Sequence, residues 1–113
     1  MLIPLLNIPY SLTSNDFRFL LPSNGFVTSN QFYHYCKDTF DQLLNEGGKM
    51  MNIGLHGRIT GHPGRLIGLQ KFIEYISQER FKDQIWIATR TQIAKFWMKK
   101  YPPLRSKMMP SKL

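Results

Sequence analysis

Met50-Met51-Asn52-Ile53-Gly54-Leu55-His56 runs directly into Gly57-Arg58-Ile59-Thr60-Gly61-His62-Pro63-Gly64-Arg65, and the reading of this junction decides the architecture. Ile53 and Leu55 alternate around Gly54 with the two-residue period of a strand. Residues 57–64 then form a turn-rich connection. After it Leu66, Ile67, Leu69, Phe72, Ile73 and Ile76 recur at helical spacing, with Pro63 placed where a first helical turn tolerates a missing N–H. Strand, loop and helix in that order are the unit of a parallel α/β fold.

Upstream, Phe32, Cys36, Phe40, Leu43 and Leu44 mark another amphipathic helix beginning at Ser29, with Thr28 or Ser29 as cap and Gly47-Gly48 as stop. Downstream, residues 84–89 contain Ile85, Trp86 and Ile87 and read as a buried strand. A last helix follows, carrying Ile93, Ala94, Phe96 and Trp97, with Thr91 as its cap and Pro102-Pro103 as its end. At the start, residues 2–8 are an apolar run that suits a strand if Pro4 opens it. Residues 10–28 form a long irregular loop anchored by Phe17, Phe19, Leu20 and Leu21. The sum is three strands alternating with three helices, an α/β arrangement of right-handed crossovers that belongs to an open layer or a barrel. Three parallel strands do not close a barrel, and parallel strands are covered on both faces. The chain therefore reads as a section of something larger.

Composition limits the function classes. The chain has 113 residues, enough for one small core, and 42% apolar with 19% charged residues is the balance of a folded protein. A single cysteine, Cys36, excludes an internal disulfide and a Cys-rich metal site, which fits a reducing, cytoplasmic setting. The apolar N-terminus has no basic residue before Arg18 and is broken by Pro4 and Pro9, a poor signal peptide. No apolar run approaches the ~20 residues of a membrane-spanning helix. Net charge is +8, concentrated at the end: from Gln84 onward there are seven Lys or Arg and no acidic residue. Lys95, Lys99 and Lys100 are the usual solvated residues of a helix C-terminus, so nucleic-acid binding is not the favoured reading. Residues 104–113 read as a basic flexible tail.

Chemistry gathers where strands of a parallel fold end and loops lead into helices. His56 occupies such a position, and an imidazole there suits general acid or base work because its ordinary pKa lies near neutrality. The bland alternative is a histidine bonded to a neighbouring backbone group. Arg58 and Arg65, among three glycines, could hold carboxylate or carbonyl oxygens. The loop has neither the Gly-Lys-Ser/Thr ending of a P-loop nor a Gly-x-Gly-x-x-Gly signature. His34, His56 and His62 lie in separate contexts, so no metal site is assigned and no cofactor is called for. His34 belongs on a helix surface, and His62 beside Pro63 reads as a turn residue.

Five stretches carry a family likeness: Pro9-Tyr10-Ser11-Leu12-Thr13-Ser14-Asn15-Asp16-Phe17-Arg18-Phe19; Lys37-Asp38-Thr39-Phe40-Asp41 onward to Gly47; Lys49 to Arg58; Gly61-His62-Pro63-Gly64-Arg65; and Ile85-Trp86-Ile87-Ala88-Thr89-Arg90 to Phe96-Trp97. Over residues 5–103 they resemble the C-terminal third of the polysaccharide deacetylase (NodB-homology) family, in particular its allantoinase and urate-catabolism branch. The resemblance implies part of a distorted (β/α) barrel and hydrolysis of carbon–nitrogen bonds other than peptides. It implies that Leu55-His56 supplies an acid/base histidine, with Asn15 and Asp16 beside the substrate. Thr13 stands where relatives often carry an acidic residue, which departs from the pattern at that loop. The family's Asp-Asp pair and His-x-x-x-His motif, which provide the base and the metal ligands, do not occur in this sequence. Residues 1–103 are then expected to be a C-terminal portion of a hydrolase, inactive alone, taking a small amide or ureide once completed, with a homo-oligomer as a possible assembly. The alternatives are a non-catalytic remnant that binds an anion or nucleic acid through Arg58, Arg65 and the basic tail, or a chain unable to fold independently.

Overall fold

Aromatic side chains on one long helix organise the fold. The structure, a computed structural model, describes residues 5–103. Helix α1, Ser29–Glu46, buries Phe32, Cys36 and Phe40, four residues apart in each step and hence on one face. Its start is fixed by a capping box: Thr28 accepts from the Gln31 N–H while the Gln31 side chain accepts from the Thr28 N–H. It ends at Gly47, whose φ of 68° is open to glycine at little cost. Both ends fall where the sequence places them.

Helix α2 is a single turn, Gly57–Thr60, and α3, Pro63–Ile76, begins with the expected proline in its first turn. Helices α1 and α3 pack side by side within the compact unit Pro9–Trp86. Gly68 of α3 lies so close to the Ser29 carbonyl that no Cβ fits between them. Lys71 of α3 donates to Asn30 of α1 at 2.8 Å.

The aromatic core has two groups along α1. Phe40 meets Phe72, Tyr75 and Phe81 edge-on at centroid distances of 6.2, 6.0 and 5.1 Å. Phe81 belongs to a short 3-10 helix, Glu79–Phe81, that the sequence pattern does not announce. Nearer the start of α1, Phe32 contacts Phe26 and Phe19. The residues before α1 are less irregular than expected, since Asp16–Leu20 is a 3-10 helix capped by Asn15. Of its expected anchors only Phe19 packs on the core, whereas Phe17, Leu20 and Leu21 are exposed. The buried anchor is Phe26. Arg18 holds this segment through its guanidinium, which donates to the Asn24 carbonyl at 2.7 Å and stacks over Phe26 and Tyr35.

The second compact unit comprises residues 1–8 and 87–113, of which residues 5–8 and 87–103 are described. Within it α4, Arg90–Lys100, is capped by Thr89 paired with Gln92, not by Thr91 as the sequence suggests. No residue of α4 is buried, and Arg90 donates to the Ile8 carbonyl at 2.7 Å. The basic tail, residues 104–113, and the first half of the apolar run at residues 2–8 lie outside the described residues.

The expected alternation of three strands and three helices is met only in its helices. Among the described residues no segment forms a strand. Residues 50–56 and 85–89 carry no ladder, and what remains of the expected parallel sheet is one parallel bridge, Asn15 to Gly54. The physical reason lies in what a strand requires. Helices satisfy their own backbone groups, but a strand becomes regular only when a neighbour accepts and donates along its length. Ile53 and Ile85 still turn inward against the core, while Trp86 and Ile87 are exposed. The apolar pattern of these segments is thus only partly realised as burial, and the partial barrel is not formed among the described residues.

Candidate active site

The bridge positions the site. Asp16 N–H donates to the Gly54 carbonyl at 3.0 Å, and Gly54 N–H donates to the Ser14 carbonyl at 2.9 Å. Gly54 is required because the Asn15 carboxamide and the Tyr10 hydroxyl occupy the space a Cβ would take. Asn15 is fully buried; its carboxamide donates to the Tyr10 hydroxyl at 2.6 Å and accepts from Phe17 N–H at 2.9 Å. Its polar atoms therefore serve to shape the turn. This register delivers Asp16 and His56, forty residues apart in sequence, to one point.

Asp16 is also fully buried, and three donors converge on its carboxylate. Oδ2 accepts from the His56 backbone N–H at 2.7 Å and from the Thr60 hydroxyl at 2.6 Å. Oδ1 lies 2.7 Å from His56 Nδ1. Burial by itself pushes the carboxyl upward, but the Thr60 hydroxyl, the His56 N–H and the His56 ring together outweigh it and hold the group below its ordinary value. Asp16 is therefore ionised at neutral pH and can only accept. Nδ1 must then carry a proton. The neutral ring has its lone pair on Nε2, and the protonated ring has its second N–H there. The side chain of His56 is 45% exposed, so with Nδ1 turned to a buried partner the accessible edge carries Nε2.

This arrangement provides an oriented imidazole that can take up or release a proton at Nε2, with a carboxylate behind it to stabilise the imidazolium. His56 stands at the N-cap of α2, and its carbonyl accepts from Ile59 N–H and Thr60 N–H, which closes the turn on which Thr60 sits.

The residues singled out from the sequence have different situations. His56 and Asp16 come together, with Asp16 behind the imidazole. Arg65 donates to the Ile59 carbonyl at 3.3 Å and lies over the Phe19 ring, which commits its guanidinium to the loop it follows. Arg58 is exposed beside Gly57, Gly61, His62 and Pro63 at the rim of a shallow depression. His34 is exposed on α1 against Tyr33. Sequence reasoning missed Thr60 and the holding role of Tyr10. Thr60 had one available signal: it stands four residues after His56, one helical turn on. Among the described residues no three His, Cys, Asp or Glu side chains gather as a metal's donor set, and the nearest pair, Asp16 and His56, has its carboxylate occupied by internal donors. Cys36, buried against the core, has its thiol pushed up to about 12 by burial and is chemically quiet. No helix among the described residues is long and apolar enough to cross a membrane.

No family model matches the chain. In an alignment 102 residues long that covers 87% of the chain, it is 48% identical to a Schizosaccharomyces pombe protein that is a polysaccharide deacetylase by name. The fold superposes with a TM-score of 0.76 on a crystal structure of a Pseudomonas aeruginosa PAO1 protein, also a polysaccharide deacetylase by name, at 42% identity over 85% of the chain. The same TM-score, identity and coverage hold for the crystal structure of the Puue allantoinase. The chain spans about a third of each relative, 31% of the yeast protein and 32% of each solved chain. Over that span the chain is homologous to polysaccharide deacetylases of the NodB-like kind and to the Puue allantoinase.

Proposed function

We propose that this chain carries the acid–base part of a hydrolase site for non-peptide carbon–nitrogen bonds, of the kind named in its polysaccharide deacetylase and allantoinase relatives. The observation that supports this most directly is the contact of His56 Nδ1 with the buried Asp16 carboxylate at 2.7 Å, which leaves Nε2 on the accessible edge. In this reading the protonated Nε2 gives its proton to the departing nitrogen as the carbon–nitrogen bond breaks, and Asp16 stabilises the imidazolium before transfer. The substrate is a small amide or ureide. A hydrolytic site also needs a group that activates water, and Asp16 cannot serve because internal donors enclose it. The chain alone is therefore expected not to turn over substrate.

A chimera tests the proposal. Residues 9–103 would replace the homologous third of the Pseudomonas or yeast relative, and hydrolysis of allantoin and of an N-acetylated oligosaccharide would be followed. Activity in the chimera with a loss of about 10²–10⁴-fold in kcat for His56→Ala is the expected result. An active chimera indifferent to His56→Ala would remove the acid–base reading.

A further inference from the structure

We infer that Thr60 is a positioning residue of the His56–Asp16 pair: its hydroxyl holds the carboxylate in the orientation that keeps one oxygen in line with His56 Nδ1, and so maintains the ring in the Nδ1–H tautomer that the ionised Asp16 requires. The inference rests on the acid–base reading of His56 for its functional meaning, though not for its geometry.

A helical threonine ordinarily turns its hydroxyl to the carbonyl one turn earlier on its own helix. For Thr60 that carbonyl is His56 O, which already accepts the Thr60 N–H at 3.0 Å. The hydroxyl instead donates at 2.6 Å to Asp16 Oδ2, a group forty-four residues away in the chain. Thr60 is 4% exposed, so no water competes for that proton. The two oxygens of a carboxylate are chemically equivalent, and its terminal torsion has a broad, two-fold profile. Without a distinction between them the group can rock. Two donors on Oδ2, the Thr60 hydroxyl and the His56 N–H, fill one side of the carboxylate and leave Oδ1 for Nδ1.

Both ends of this lock belong to one residue turn. The His56 backbone holds Oδ2, the His56 ring meets Oδ1, and Thr60 is bonded to both the His56 carbonyl and the carboxylate. A purely structural role would be met by any side chain that fills the space. A positioning role needs the hydroxyl.

The test uses the 113-residue chain, with nitrogen-15 NMR of the His56 ring and carbon-13 NMR of the Asp16 carboxyl. In the wild type, neutral His56 is expected almost wholly as the Nδ1–H tautomer. Thr60→Ser should keep that state. Thr60→Val, equal in shape but without a donor, should give a mixture of tautomers and move the Asp16 titration to higher pH. Unchanged tautomer and Asp16 titration in a folded Thr60→Val chain would overturn the inference. If Thr60→Val does not fold, the wild type decides: a slowly exchanging Thr60 hydroxyl proton coupled to the Asp16 carboxyl supports the lock, and a freely exchanging one rejects it. These spectra do not depend on turnover. A chimera indifferent to His56→Ala would remove the acid–base reading and leave the tautomer result standing.

Discussion

Asp16 shows how much of a site can depend on one side chain that never meets solvent. Removing it strands the Thr60 hydroxyl in a buried setting and the His56 N–H in a half-buried one, so Asp16→Ala is expected to cost about 3 kcal/mol, read from urea unfolding of the two chains. The same residue sets an acid limit. Its carboxyl is held below the ordinary value of 3.8, so its contribution is complete above that value and is lost as pH falls through its own lower value. Asp41 acts in the same direction, bonded to Lys37 and Tyr75, but half-exposed and so with less effect. Stability should therefore hold down to about pH 3.8 and fall below it, and Asp16→Asn should weaken that dependence. A urea midpoint that declines equally with pH in both proteins would count against this account. His56 could be singled out from its place after an alternating segment. The identity of its partner could not, because no local pattern reports that a buried carboxylate forty residues earlier turns toward it.

Of the elements that satisfy themselves, the long helices are those a sequence announces, whereas the short 3-10 turns Asp16–Leu20 and Glu79–Phe81 are not. The Thr28–Gln31 box, the Phe32, Cys36 and Phe40 spacing and the Gly47 stop define α1 from local chemistry alone, and Pro63 does the same for α3. Residues 50–56 and 84–89 carried an equally clear apolar pattern but became neither strand nor ladder, since their order depends on partners that no local period specifies. Thr91 reads as the cap only if Thr89 ends a strand; with no strand formed there, Thr89 is free to cap, paired with Gln92. Within α1 the contributions should differ by kind. Thr28→Ala removes one cap and should cost about 1 kcal/mol. Phe40→Ala empties the contact point of Phe72, Tyr75 and Phe81 and should cost about 3–5 kcal/mol. Chemical unfolding measures both, and a Phe40→Ala cost no larger than that of the cap would mean that the aromatic group is not the core.

Over the whole molecule, the described residues divide into the unit Pro9–Trp86, which contains the aromatic core and the site, and a second unit in which α4 buries none of its residues. Cys36 reports on the first. Its thiol is both enclosed and poorly ionised, so iodoacetamide should leave it unmodified in the native chain and label it when Phe40→Ala or denaturant opens the core. Rapid labelling of the native protein would place α1 elsewhere than against α3. Among the described residues the helices are clear and no sheet forms: the helical code is local to its segment, whereas pairing is a property of whatever lies alongside.

The bridge between Asn15 and Gly54 has a consequence for how such a chain can change over generations. Two backbone hydrogen bonds join the strips that carry Asp16 and His56, while α1 and α3 are stabilised by their own backbone bonds and by the aromatic core. The bridge can therefore come apart at a smaller free-energy cost than the helices. Mutational drift at Gly54 or Tyr10 would disturb the placement of Asp16 against His56 and leave the helical body of α1 and α3 in place. Inheritance of the scaffold and inheritance of the chemistry are separable here, and the scaffold is the more durable of the two.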